Sequence, residues 1–240
     1  MAAQADASTG PSALGLRIVR DGGTEETTCA LVQREQRAND VVLSFVTAAH
    51  LFKRPDGAVL PPARKIEVVI PPSPGSGGSA SAEGTTIVVD PKNVEVPTGN
   101  GASVATLRAV VPLATLSPAA RSWMEQHAPN QQTRAGAPPF VVSPRQFAGP
   151  TILAACGENK TGEIDVPFTL SAGETAIDAS ATLMNRKALR LADVKVLTLT
   201  NEIVKVRFTL GGEPPPRPPA PCPPGQALVT VHLTVVKTPR

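Results

Sequence analysis

Residues 41–52, VVLSFVTAAHLF, decide how the rest of this chain is read. Val41 to Val46 form an apolar run of strand length, and the run ends in three small residues, Thr47, Ala48 and Ala49, before an imidazole at His50. Small side chains at the end of a strand let the backbone turn and leave open space beside the turn. The apolar strand behind them holds whatever follows within hydrogen-bond reach of a neighbour. His50 is therefore a candidate functional side chain. The simpler reading is a partly buried turn histidine bonded to a backbone carbonyl.

Outward from this run the first half repeats one pattern. LGLRIV (14–19), TCALVQ (28–33), VVLSFVTAA (41–49), KIEVVI (65–70), TTIVVD (85–90) and SVATLRAVV (103–111) are short apolar or alternating runs separated by polar and Gly/Pro breaks. Strands at this spacing predict a small closed antiparallel barrel, since an open sheet would leave unpaired edges. PPSPGSGGSASAEG (71–84) carries almost nothing that could pack and predicts a flexible loop. In LSPAARSWMEQHAPNQQ, Ser117 suits an N-cap and Pro118 the first helical position, and Leu116, Ala120, Trp123, Met124 and His127 follow at helical spacing. NQQTRAGAPP (130–139) reads as a connection. Further strand-like runs follow: PFVVS, PTILAAC, DVPFTL, ATLM, DVKVLTLT, IVKVRFTL and ALVTVHLTVV. Between the last two, GGEPPPRPPAPCPPG (211–225) predicts an extended polyproline connection. The expected organisation is a disordered tail at 1–13, a β-barrel at 14–115 carrying His50, a linker with a short helix at 116–149, and a second β unit at 150–240 with a Pro-rich loop at 213–224.

Composition narrows the function classes. Aromatic residues make up 3% of the 240, with no Tyr, and the net charge is only +3, from scattered basic and acidic residues. A nucleic-acid-binding face needs a basic stripe and stacking rings, and the sequence shows no such stripe and, with one Trp and six Phe, has few rings to offer. No stretch resembles a secretory leader or reaches membrane-spanning length. The expectation is a soluble, cytoplasmic protein with no membrane partner. Cys29, Cys156 and Cys222 are odd in number and far apart. That argues against a disulfide framework and against zinc-ligand spacing, so buried or idle thiols and no metal or cofactor are expected.

SFVTAAHLF (44–52) resembles the V-L-T-A-A-H segment of trypsin-like (chymotrypsin-family) serine proteases, in which a strand delivers the general-base histidine. A second match follows: IVVDPKNVEVPTGNGASVATLRAVVPL (87–113) resembles the family's strand, H-P turn, variable loop and D-I-A-L-L-x-L strand, in that order. Asp90 and Pro91 fall on the turn, and Ser103 stands where the family carries its orienting Asp. A serine can accept the imidazole N–H but offers no charge to an imidazolium, and in the family's own triad an Asp-to-Asn change costs about 10⁴ in rate. Cys29 occupies a position often cystine in secreted members, but Leu51 stands where its partner would follow the His. RIV (17–19) is followed by Arg20 and Asp21 where an activation site has glycines, which favours a plain first strand. PTILAACG (150–157) is similar to the strand that opens the second barrel.

The resemblance implies an all-β chain of two antiparallel barrels with His50 in the cleft between them. The family's G-D-S-G-G, which supplies the nucleophile and the oxyanion hole, has no counterpart in the second half. PGSGGS (74–79) copies its letters in the wrong barrel and order. Cys222, in APCPPGQALV (220–229), falls near the position, but Pro221, Pro223 and Pro224 deny the backbone the turn such a site needs. The expected function is a pseudoprotease that binds a protein or extended peptide, with no nucleic acid and no cofactor. One alternative is an active endopeptidase with His50 as base, Ser103 or Asp90 assisting, and Ser171, Ser180 or Cys222 attacking. The other is an unrelated β-sandwich module. His127 and His232 are read as structural.

Overall fold

The computed structural model describes residues 13–54, 58, 60–70, 84–97, 103–127, 140–200, 202–214 and 222–237. The tail through residue 12, most of the 71–84 loop, the 130–139 connection, residues 215–221 of the Pro-rich loop and the side chain of His127 lie outside the described residues. Among the described residues the chain is mostly β, with one α-helix. It divides into two units: residues 1–143, 171–177 and 235–240 form one, and residues 144–170 and 178–234 the other.

The first unit is built on β1 (Leu14–Arg20), β2 (Gly23–Gln36), β3 (Asp40–Ala48), β4 (Lys65–Ile70), β5 (Thr85–Val89), β6 (Val94–Glu95) and β7 (Val104–Pro112). Period-2 alternation sets the inner face: Leu14, Leu16 and Ile18 on β1, Ile66, Val68 and Ile70 on β4, and Ile87 and Val89 on β5 are all buried. The strands form one antiparallel sheet in the order β5-β4-β1-β2-β3-β7-β6. Its two end strands are almost adjacent in sequence. Val89 closes β5 and Val94 opens β6, and these five residues of chain can span at most about 18 Å. A flat sheet would separate the first and last of seven strands by six steps, roughly 29 Å. The sheet must therefore curl until its ends approach, and β5 contacts β7 directly. Asp90 makes the corner: its carboxylate accepts from the Lys92 amide at 2.9 Å and caps the 3₁₀ turn Pro91–Asn93.

Helix α1 (Pro118–His127) begins as its sequence predicts, with Ser117 Oγ accepting from the Ala120 amide at 3.1 Å. Leu116, Ala120, Trp123 and Met124 are buried in the same core as β1, β3 and β4, so the helix is part of the first unit's interior rather than a free connection. A smaller cluster on the other side of β2 and β3 joins Ala30, Val32 and Val46 to Ile177 and Val236.

The second half carries β8 (Val141–Ala154), β9 (Asn159–Pro167), β10 (Glu174–Lys187), β11 (Leu189–Leu199), β12 (Ile203–Gly212) and β13 (Gly225–Lys237). They pair as two three-stranded sheets, β10-β13-β8 and β11-β12-β9. Successive strands β8 and β9 thus lie in different sheets, as do β10 and β11. Between β10 and β11, Ala188 adopts a left-handed conformation at φ 50°. A side chain at Gly149 on β8 would meet Val166 of β9 at 3.0 Å and Val229 of β13 at 3.3 Å, so the two layers approach closely there. Buried Ile152, Val166, Val204, Val206, Val229 and Val231 fill the interior of this unit.

Cys156 and Cys222 form a disulfide, with Cα atoms 6.0 Å apart and a separation of 66 in sequence. This corrects the expectation of buried or idle thiols for Cys156 and Cys222, whereas Cys29 is a buried free thiol. The turn after β8 is docked on the end of β12, where the Gly157 amide donates to the Glu213 carbonyl at 2.8 Å and the Gly212 amide to the Glu158 carbonyl at 2.8 Å. That docking brings Cys156 to the chain leaving β12, on which Cys222 follows.

Candidate functional site

His50 sits where the sequence places it, in the turn directly after β3. β3 pairs with β7 without a register break from Asp40↔Pro112 to Ala48↔Val104. One residue further, the Ala49 amide donates to the Ser103 carbonyl at 2.9 Å. The His50 turn and Ser103 are thus joined through the main chain at the same end of the sheet. Ala49 and Leu51 are buried while His50 is exposed, so the 3₁₀ turn Ala49–Leu51 fixes its flanks and presents the imidazole outward. Among the described residues the imidazole is not sealed in hydrocarbon.

The turn is held from behind and from the side. Thr47 is fully buried and its hydroxyl donates to the Thr28 carbonyl at 2.7 Å, tying the end of β3 to β2. Arg20, at the end of β1, donates to the Leu51 carbonyl and, at 3.1 Å, to the Pro61 carbonyl. It also pairs with Glu25 at 3.0 Å and lies over the Phe52 ring at 5.9 Å. The Leu60 amide returns to the Phe52 carbonyl at 3.1 Å. Beside this anchored segment is an apolar notch of about 220 Å³ lined by Phe52, Leu60, Pro61, Pro91, Val94 and Val96. A second, polar groove of about 370 Å³ on the outer face of β2, β3 and β7 is lined by Glu35, Ser44, Glu95, Thr106, Arg108 and Phe140. Glu35 there pairs with Arg37 at 3.2 Å and with Arg108 at 3.8 Å. Neither recess was legible in the sequence. The prolines at 61, 62 and 91 were its only hint of the notch.

The remaining candidates are dispersed. Asp90 has its carboxylate committed to the 3₁₀ cap. Ser171 closes a turn with Glu174, donating its amide to that carboxylate at 3.1 Å and accepting the Glu174 amide at 3.0 Å. Ser180 is exposed on β10 in the second unit. Cys222 cannot act as a nucleophile while its sulfur is bonded to Cys156, which corrects the cysteine-peptidase alternative. Cys29 is fully buried in the first core, and burial pushes its thiol well above the ordinary range. His232 meets the Thr182 hydroxyl at 3.0 Å across β10 and β13, a surface cross-strand pair. No group of three or more metal-ligating side chains occurs among the described residues. No helix among them is long and apolar enough to cross a membrane. No protein-family model, curated protein or solved structure matches this chain.

Proposed function

We propose that this chain is a trypsin-like protein that has lost its nucleophile and binds a protein or extended peptide beside the His50 turn. One observation carries the reading: the Ala49 amide bonded to the Ser103 carbonyl at 2.9 Å, at the end of a curled antiparallel sheet. This is the juxtaposition that the paired sequence resemblances at 44–52 and 87–113 call for. The arrangement can orient an imidazole but supplies no attacking group. Ser103 replaces the charged orienting residue, no G-D-S-G-G segment exists, and Cys222 is spent in a disulfide. Losing the nucleophile alone costs on the order of 10⁶ in turnover in a serine protease, so binding is the function left to such a surface. The apolar notch lined by Phe52, Leu60 and Val94 has room for one side chain of a bound segment.

Support for the family comes from the first unit alone. For the second, the two separate three-stranded sheets favour a β-sandwich binding module over a second protease barrel. The disulfide favours an oxidising compartment over the cytoplasm expected from the sequence, since such bonds persist outside the reducing cytosol.

The test is active-site labelling of the native protein with a fluorophosphonate and, separately, with iodoacetamide. Neither reagent is expected to label it. Stoichiometric labelling that disappears in His50→Ala would overturn the proposal and reinstate an active peptidase.

A further inference from the structure

Strand β11 ends its sheet, and it is the least covered long strand of the second unit. None of its eleven residues is buried, although it reads L-R-L-A-D-V-K-V-L-T-L and carries apolar side chains along most of its length. On its inner face Val194 and Val196 stand opposite Phe208 and Val206 of β12, which are buried while the two valines are only half so. Among the described residues, the side of its backbone away from β12 has no strand neighbour.

Natural edge strands are usually blunted by proline, glycine or charge. β8, at one end of the other sheet, carries Pro144 and Pro150, and β9, at the opposite end of the β11 sheet, carries Gly162 and Pro167, whereas β10, at the far end of the β8 sheet, carries neither. β11 has neither proline nor glycine, and of its three charged residues, Arg190, Asp193 and Lys195, the last two lie within its regular stretch. Its two bulges, between Leu189 and Leu191 and between Val196 and Thr198, leave Leu191–Val196 regular between them.

This regular stretch is complementary to itself. Two copies of β11 set antiparallel about a two-fold axis through Val194 bring Asp193 of one opposite Lys195 of the other, twice. The same register sets Ala192 opposite Val196 on the inner face, again twice, and continues the half-covered apolar row across the axis. Asp193 and Lys195 are exposed, and neither enters an ion pair among the described residues. Each therefore gains a partner without losing one.

We propose that the protein forms a two-fold symmetric dimer by antiparallel β11–β11 pairing, giving a continuous six-stranded sheet across the two copies. The occupant of this edge is a second copy of the chain, because its charges and apolar residues pair in register with themselves. An isologous contact of this kind closes after one copy is added and does not polymerise.

The proposal is tested by sedimentation velocity on the full chain at micromolar concentrations, together with a cross-link. The native protein is expected to sediment as a dimer. Asp193→Lys and Lys195→Asp each place like charges opposite one another at two points and should weaken dimerisation at least tenfold. The double swap, Asp193→Lys with Lys195→Asp, should restore it, an outcome that misfolding of a single variant could not produce. Val194→Cys should form a reducible dimer under mild oxidation, because opposed residues in an antiparallel pair have Cα atoms only about 4.5–5.5 Å apart. The background is clean, with Cys29 buried and Cys156 bonded to Cys222. A monomer at every concentration, a dimer indifferent to the single reversals, or no cross-link from Val194→Cys would overturn the proposal.

Discussion

Thr47 shows how a single side chain holds the end of β3 in place. Thr47 is fully buried three residues before His50, yet its hydroxyl is satisfied by the Thr28 carbonyl, which ties the strand end that carries the imidazole to β2. Cys29 follows Thr28 on β2, and burial holds it in the neutral thiol form. Above pH about 8.5 the unfolded chain releases this proton while the folded one keeps it, so stability falls by about 1.4 kcal/mol per pH unit from this group alone. Urea midpoints measured from pH 8 to 10 should therefore fall more steeply for the native protein than for Cys29→Ala, and parallel curves would refute the assignment. At this scale the position of His50 was readable from VVLSFVTAAH, because an apolar run, three small residues and a polar side chain together specify a strand and its turn. The Cys156–Cys222 bond was not readable. Pairing requires Cα atoms within about 7 Å, and nothing local to either cysteine announces that the turn after β8 docks on the end of β12.

Individual strands and the helix were legible to different degrees, and the differences have physical causes. The first six runs became β1 to β5 and β7 because each alternates or runs apolar for one strand length. β8 was expected as two pieces separated at its prolines, but it is one strand through Pro144 and Pro150. Its place at the end of its sheet explains the tolerance, because a proline there need not break a ladder on both sides. β10 begins at Glu174, well before the ATLM run at 181–184 that signalled it, and its first four residues are buried despite Glu174 and Thr175. The polar side chains hid that start. Helix α1 was legible through its cap and spacing, but not its burial in the first core. Ser117→Ala removes the acceptor of the Ala120 amide and should cost about 1 kcal/mol, read as a lower urea midpoint. An unchanged midpoint would mean that the cap contributes nothing.

At the scale of the whole molecule, the chain distributes two kinds of stabilisation between its units. The first relies on a core of buried aliphatic side chains with Phe45 and Trp123. The second adds a covalent tie across 66 residues. Reducing that bond, or replacing both cysteines by serine, should cost on the order of 2–5 kcal/mol. Hydrogen-exchange mass spectrometry should record the loss as faster uptake in β9, β11 and β12, with β1 to β5 unchanged. Uniform acceleration, or none, would contradict this division.

The central claim is that the sheet of the first unit curls until β5 and β6 join its two ends, and that the β3–β7 ladder within it sets the His50 turn against Ser103. A nuclear Overhauser spectrum of the native protein tests it most directly. Cross-strand contacts for Val68–Ile87, Val94–Leu107 and Ala49–Ser103 are predicted together in one spectrum. Val68–Ile87 contacts without those of Val94–Leu107 would describe an open sheet, and a missing Ala49–Ser103 contact would part the His50 turn from Ser103; either result would contradict the account.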